Sequence, residues 1–156
     1  MIKFTASVDI PRPAEELFAY LGDPARMPEY DSSTSEVKLE GFGPIGVGTR
    51  FHQIASFMGR RIDNLVVITE YEPGRRITCD SKEGSFPVTW TYTLSPTADG
   101  TRVDVNTHGD PKGFFGIAAP LLKTMVRGKI VRELHRLGAT LAANASNTGR
   151  QVGSTG

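Results

Sequence analysis

The feature that most limits what this chain can become is a change of hydrophobic period near residue 110. Before it, apolar residues recur at every second position in short runs; after it, they recur at every third or fourth. A period of two belongs to a strand with one buried face, and spacings of three and four belong to an amphipathic helix. The pattern predicts an α+β fold, in which a run of antiparallel strands is covered by one long helix.

Residues 2–10 (IKFTASVDI) alternate almost perfectly, as a half-buried strand does. Pro11 and Pro13 end it. A short helix follows from Pro13, with Glu15 and Glu16 in its first turn, where the helix dipole favours them. Leu17, Phe18 and Leu21 form its apolar stripe, and Gly22 stops it. Asp23-Pro24 reads as the cap and first position of a second short helix through about Tyr30. Further strands are expected at 36–39, 49–57, 61–71, 76–82, 86–95 and 101–108. The glycine-rich stretch 41–48 and the turn signals Met58-Gly59, Pro73-Gly74, Glu83-Gly84 and Asp99-Gly100 separate them. The expected sheet is an antiparallel meander of six to seven strands, with the first strand joining its far edge.

After Asp110-Pro111 the apolar positions are Phe114, Phe115, Ile117, Leu121, Leu122, Met125, Val126, Ile130, Leu134, Leu137 and Leu141. They predict a helix of about six turns, begun or kinked at Pro120. Gly128 and Gly138 interrupt it, either to make room for a ligand or a bend, or to allow close packing. One domain is expected over residues 1–145, with 146–156 (SNTGRQVGSTG) as a disordered tail.

Charge and composition exclude several classes of function. Eighteen Lys and Arg against 17 Asp and Glu argue against a nucleic-acid binder. The single cysteine, Cys79, excludes an internal disulfide framework and a thiolate zinc cluster. His52, His108 and His135 have no metal-ligand spacing, and neither metal nor cofactor is expected. The 41–48 stretch lacks the Lys-Ser/Thr ending of a phosphate loop. No apolar run approaches the roughly 20 residues of a membrane span. Met1-Ile2-Lys3 leads straight into alternating sequence, so a cytoplasmic protein is expected. Residues 111–156 nevertheless carry seven basic side chains and one acidic one, Glu133. That face is a solvated helix surface or, on a sharper reading, one that contacts an anionic membrane or a protein partner.

Alternation assigns an inward set that is mostly apolar, with a few amides and hydroxyls. Phe51, Gln53, Phe57, Asn64, Val66, Cys79, Trp90 and Tyr92 from the sheet, with Leu121 and Met125 from the helix, are the candidate ligand-binding residues. This is the composition of a pocket for a largely apolar ligand held by a few hydrogen bonds. The alternative is a packed core in which Gln53 and Asn64 are satisfied internally. Tyr92 and His108 are the weak catalytic candidates, as groups that could donate to a carbonyl or move a proton.

Several stretches resemble the SRPBCC superfamily, the START-like and birch-pollen-allergen-like helix-grip proteins. They are Ile10–Phe18 (IPRPAEELF), Asp23-Pro24, Gly46–Arg50 (GVGTR), Thr69–Pro73 (TEYEP), Thr91–Leu94 (TYTL) and Gly100–Arg102 (GTR), in this order over about residues 2–143. The branch they resemble is that of polyketide cyclases, dehydrases and lipid transport. Where many relatives place a tryptophan beside a proline, this chain has Met27-Pro28-Glu29-Tyr30. The resemblance implies a sheet wrapped around the C-terminal helix, a deep cavity between them, and a glycine-rich turn near its mouth. It implies binding of a small hydrophobic molecule such as a lipid, polyketide or isoprenoid, as carrier or sequestering protein. An aromatic polyketide cyclase or dehydratase, and an interaction module using the basic helix, are the alternatives.

Overall fold

The computed structural model describes residues 2–84, 87–110 and 119–154. The elements run β1 (Ile2–Ile10), α1 (Ala14–Leu21), a 3-10 turn (Pro24–Arg26), α2 (Met27–Tyr30), β2 (Thr34–Glu40), β3 (Arg50–Phe57), β4 (Arg60–Glu72), β5 (Arg76–Gly84), β6 (Val88–Pro96), β7 (Thr101–Gly109) and α3 (Ala119–Ser154). One antiparallel sheet of seven strands has the order β1-β7-β6-β5-β4-β3-β2. Six of the strands form the meander, and β1 closes the far edge against β7, with Val8 opposite Val103. The register slips between Leu65 and Val67, between Ile68 and Glu70, and between Thr34 and Glu36. Such bulges bend a sheet, and this one curves around α3.

Alternation decides which face is buried. Phe4, Ala6, Val8 and Ile10 of β1 are buried, while Lys3, Thr5, Ser7 and Asp9 are exposed. Phe51, Val66, Ile68, Ile77, Cys79, Leu94, Val103 and Val105 continue the same inner face. From α3, Leu134, Leu137 and Leu141 join this core, and Leu122 is buried as well. The helix packs chiefly against β1 and also touches α1 and α2.

The two short helices form as their local sequence directs. Pro13 caps α1 in extended conformation, one position earlier than a first helical residue would stand, with Glu15 and Glu16 in the first turn. The Asp23 carboxylate accepts from the Ala25 N–H at 3.1 Å, with Pro24 at the next position. Gly138 allows α3 to approach β1, since a Cβ there would lie 2.6 Å from Ile10 Cγ2. Gly128 is different: a Cβ there would meet only the Arg132 Nη1 at 3.3 Å.

Two expectations about the last third need correction or limit. The helix is 36 residues long and continues to Ser154, through most of the stretch assigned to a disordered tail. The six turns expected from apolar spacing match only the part that carries buried residues, Leu122 to Leu141. Phe86, Phe114, Phe115 and Ile117 lie outside the described residues.

Candidate functional site

Between the sheet and α3 lies a partly open cavity of about 180 Å³. That is the order of the ~150 Å³ apolar cavity able to hold a benzene ring. Its walls come from α2 and the turn after it (Met27, Tyr30, Asp31, Ser33), from β3 and β4 (Gln53, Ala55, Phe57, Ile62, Asn64), and from β6 and β7 (Val88, Trp90, Tyr92, Val105, Thr107). The helix closes it with Val126, Lys129, Ile130, Glu133 and Leu134.

Five of the expected ligand-binding residues therefore line the cavity: Gln53, Phe57, Asn64, Trp90 and Tyr92. Five do not. Phe51 and Val66 have no exposed surface and Cys79 is 3% exposed; they are core side chains rather than cavity wall. Leu121 and Met125 are 57% and 40% exposed, because α3 is rotated so that Leu122 and Val126 face inward instead. His108 is corrected too. Thr107 is inward, so the next residue of the strand points outward, and His108 is exposed on the outer face. His52 sits beside Glu40 and Asp63 on the sheet surface. Residues 41–48 contribute nothing to the cavity wall.

One end of the cavity is polar. Asp31 terminates α2, and its carboxylate accepts from the Ser33 N–H at 3.0 Å, the Ser33 hydroxyl at 2.7 Å and the Thr34 hydroxyl at 2.8 Å. This local turn points the carboxylate at α3, where the Lys129 ammonium donates to it at 2.6 Å. One helical turn on, Glu133 accepts from the same ammonium at 3.1 Å. The other Glu133 oxygen accepts from the Ser32 N–H at 3.0 Å and the Ser32 hydroxyl at 2.6 Å. Burial pushes the Asp31 carboxyl up, but the Lys129 charge and the hydrogen bonds from Lys129, Ser33 and Thr34 outweigh it and leave it below its ordinary value.

Two tyrosines, Tyr30 and Tyr92, line the same cavity. Burial, first, pushes both phenols well above their ordinary value; the Tyr92 phenol and then Asp31 add to it for Tyr30, and Asp31 adds to it for Tyr92. The two phenols are close enough to interact with each other. The Thr107 hydroxyl, on a side chain 9% exposed, is buried and unpartnered. A buried hydroxyl without a partner costs about 1–3 kcal/mol, so Thr107 suits a ligand oxygen or a water. Gln53 is already engaged: its amide nitrogen donates to the Thr34 hydroxyl at 2.9 Å and to Met27 Sδ at 3.3 Å. Asn64 is held against Gly84, where a Cβ would collide with its Oδ1.

Sequence reasoning missed Asp31, Lys129, Glu133, Tyr30 and Thr107 as cavity groups. For Glu133 a signal existed. It is the sole acid of a basic helix and stands in phase with Ile130 and Leu137 on the apolar stripe. Asp31 had none, since it meets Lys129 across 98 positions.

Among the described residues, no group of three or more His, Cys, Asp or Glu could hold a metal, and no helix is long and apolar enough to cross a membrane. A sheet gripping one long helix around a mostly apolar cavity is the helix-grip fold. Within it, the chain belongs to the polyketide cyclase / dehydrase and lipid transport family, whose model matches residues 1–142. Solved structures share the fold at low identity. TTHA0849 from Thermus thermophilus is 22% identical with a TM-score of 0.76, over 92% of this chain and 99% of that one. One di-domain ARO/CYC, StfQ from the steffimycin biosynthetic pathway, is 16% identical with a TM-score of 0.73, over 94% of this chain and 52% of that one. A START superfamily protein from Mycobacterium smegmatis is 12% identical with a TM-score of 0.71, over 86% of this chain and 92% of that one. No curated protein matches the sequence.

Proposed function

We propose that this chain binds a small, largely apolar molecule in the cavity between sheet and helix, as a carrier or sequestering protein. The observation that carries this reading is the apolar wall interrupted by a few hydroxyl-bearing side chains, Tyr30, Tyr92 and Thr107, of which the Thr107 hydroxyl is buried without a partner. Apolar area would supply the affinity and the hydroxyls would fix orientation. Native mass spectrometry with organic extraction tests it. A discrete adduct, released chemically unchanged, supports a carrier. A clean mass, together with no thermal shift across a panel of lipids and aromatic polyketides, rejects the proposal.

A second reading is favoured by the same two phenols. An aromatic polyketide cyclase or dehydratase would hold a poly-ketone in a reactive fold, with Tyr30 and Tyr92 donating to its carbonyls. Conversion of a bound poly-ketone, lost in Tyr92→Phe at unchanged stability, would move the assignment from carrier to enzyme. Unchanged product distribution on adding the protein to a synthase reaction would remove it.

A further inference from the structure

We propose that the cavity discriminates by charge: it accepts neutral ligands bearing a carbonyl or hydroxyl and rejects carboxylates, with Asp31, Lys129 and Glu133 as the discriminating cluster. This rests on the reading of the cavity as a ligand site. Among its lining residues the charged side chains are these three, two carboxylates against one ammonium. An anionic ligand entering this low-dielectric space would meet a net negative wall that solvent screens poorly. The single cation is also held in place. Lys129 donates to Asp31 at 2.6 Å and to Glu133 at 3.1 Å, so it cannot swing out to neutralise a ligand carboxylate without leaving two anions uncompensated.

The groups left over are suited to a neutral oxygen. An ammonium has three donors, and the third of Lys129 has no partner among the described residues. The buried Thr107 hydroxyl adds a donor that is also unused, and the Tyr30 and Tyr92 phenols line the same space. A carbonyl can accept from these without bringing charge, and a ligand hydroxyl can also donate to the carboxylate end. Selection by repulsion of the wrong ligand, as much as attraction of the right one, is the physical basis.

The test uses the full chain at neutral pH with para-butylacetophenone and para-butylbenzoate, which differ by a methyl group against a carboxylate oxygen. Trp90, the only tryptophan, lines the cavity, and its indole N–H gives one NMR signal to follow during titration. The ketone should bind more tightly by at least about tenfold. Glu133→Gln removes one charge and keeps an acceptor oxygen for Ser32. It should raise benzoate affinity several-fold and draw the ratio towards one. Equal affinities in the wild type, or an unchanged ratio in a folded E133Q protein, would overturn the proposal. If E133Q does not fold, the wild-type ratio alone decides. Failure of both probes to bind would remove the cavity reading itself, and this inference with it. Binding of both without preference removes only this inference.

Discussion

Alanine at the two glycines of α3 should shift stability in opposite directions. In a helix interior, Gly→Ala gains about 1 kcal/mol from propensity alone. At Gly128 nothing opposes that gain, since the new Cβ meets only the flexible end of Arg132 at 3.3 Å. Gly128→Ala should therefore stabilise the protein by about 0.5–1 kcal/mol. At Gly138 the new Cβ would lie 2.6 Å from Ile10 Cγ2. Ile10 is 2% exposed, sits in the sheet against Thr101, and is β-branched, so it has little freedom to yield. Overpacking of this kind costs about 1–3 kcal/mol. Set against the propensity gain, Gly138→Ala should destabilise by about 1 kcal/mol. The gap between the two variants is then about 2 kcal/mol, or roughly 4–8 °C in Tm for a chain of this size. Urea and thermal unfolding followed by circular dichroism measure it. In an Ile10→Ala background the penalty at Gly138 should vanish, leaving the propensity gain. If Gly138→Ala stabilises as much as Gly128→Ala, the packing of α3 onto β1 is not as described.

The Asp31 carboxyl lies below its ordinary value, so its contribution to stability is complete above about pH 4 and is lost as pH falls through the folded value. Lys129→Met should move that loss to higher pH and cost about 3 kcal/mol at neutral pH, since burial then acts on the carboxylates unopposed; an unaltered acid-unfolding midpoint would count against the cluster. Thr107→Val removes a buried hydroxyl without a partner and should raise the stability of the ligand-free protein by about 1 kcal/mol, whereas a fall in Tm would mean the hydroxyl is satisfied. Burial pushes the Cys79 thiol up to about 12, so native protein at pH 8 should resist iodoacetamide and react only when unfolded in urea; rapid native labelling would refute its placement.

The strands were largely legible because alternation is a local property. The expected strands at 49–57, 61–71, 76–82 and 101–108 fall within two residues of β3, β4, β5 and β7 at each end. Alternation also put Gln53, Asn64, Trp90 and Tyr92 on the face that lines the cavity. The same rule excludes His108: with Val103, Val105 and Thr107 inward, residue 108 has to point outward. What alternation cannot do is tell a cavity wall from the core beside it. Phe51 and Val66 share the inner face with Gln53 and Asn64, but neither lines the cavity. The helix was less legible. Leu121 and Met125 form one apolar stripe, and Leu122 and Val126 form the next, about 100° around. Both stripes satisfy the spacing rule; only docking against the sheet chose the second.

The sequence by itself determined the order of the elements, the buried face of the strands that alternate and the family. Each element and each buried face is set by residues two to four positions apart, through pleat, helical turn or cap. Tertiary structure decided where the sheet leaves a space and what stands in it. Asp31 and Glu133 are brought onto one ammonium only because α3 crosses the end of α2, across 98 positions for Asp31. Charges that distant in the chain interact through geometry alone, since Coulomb energy depends on separation in space and on the dielectric of the site.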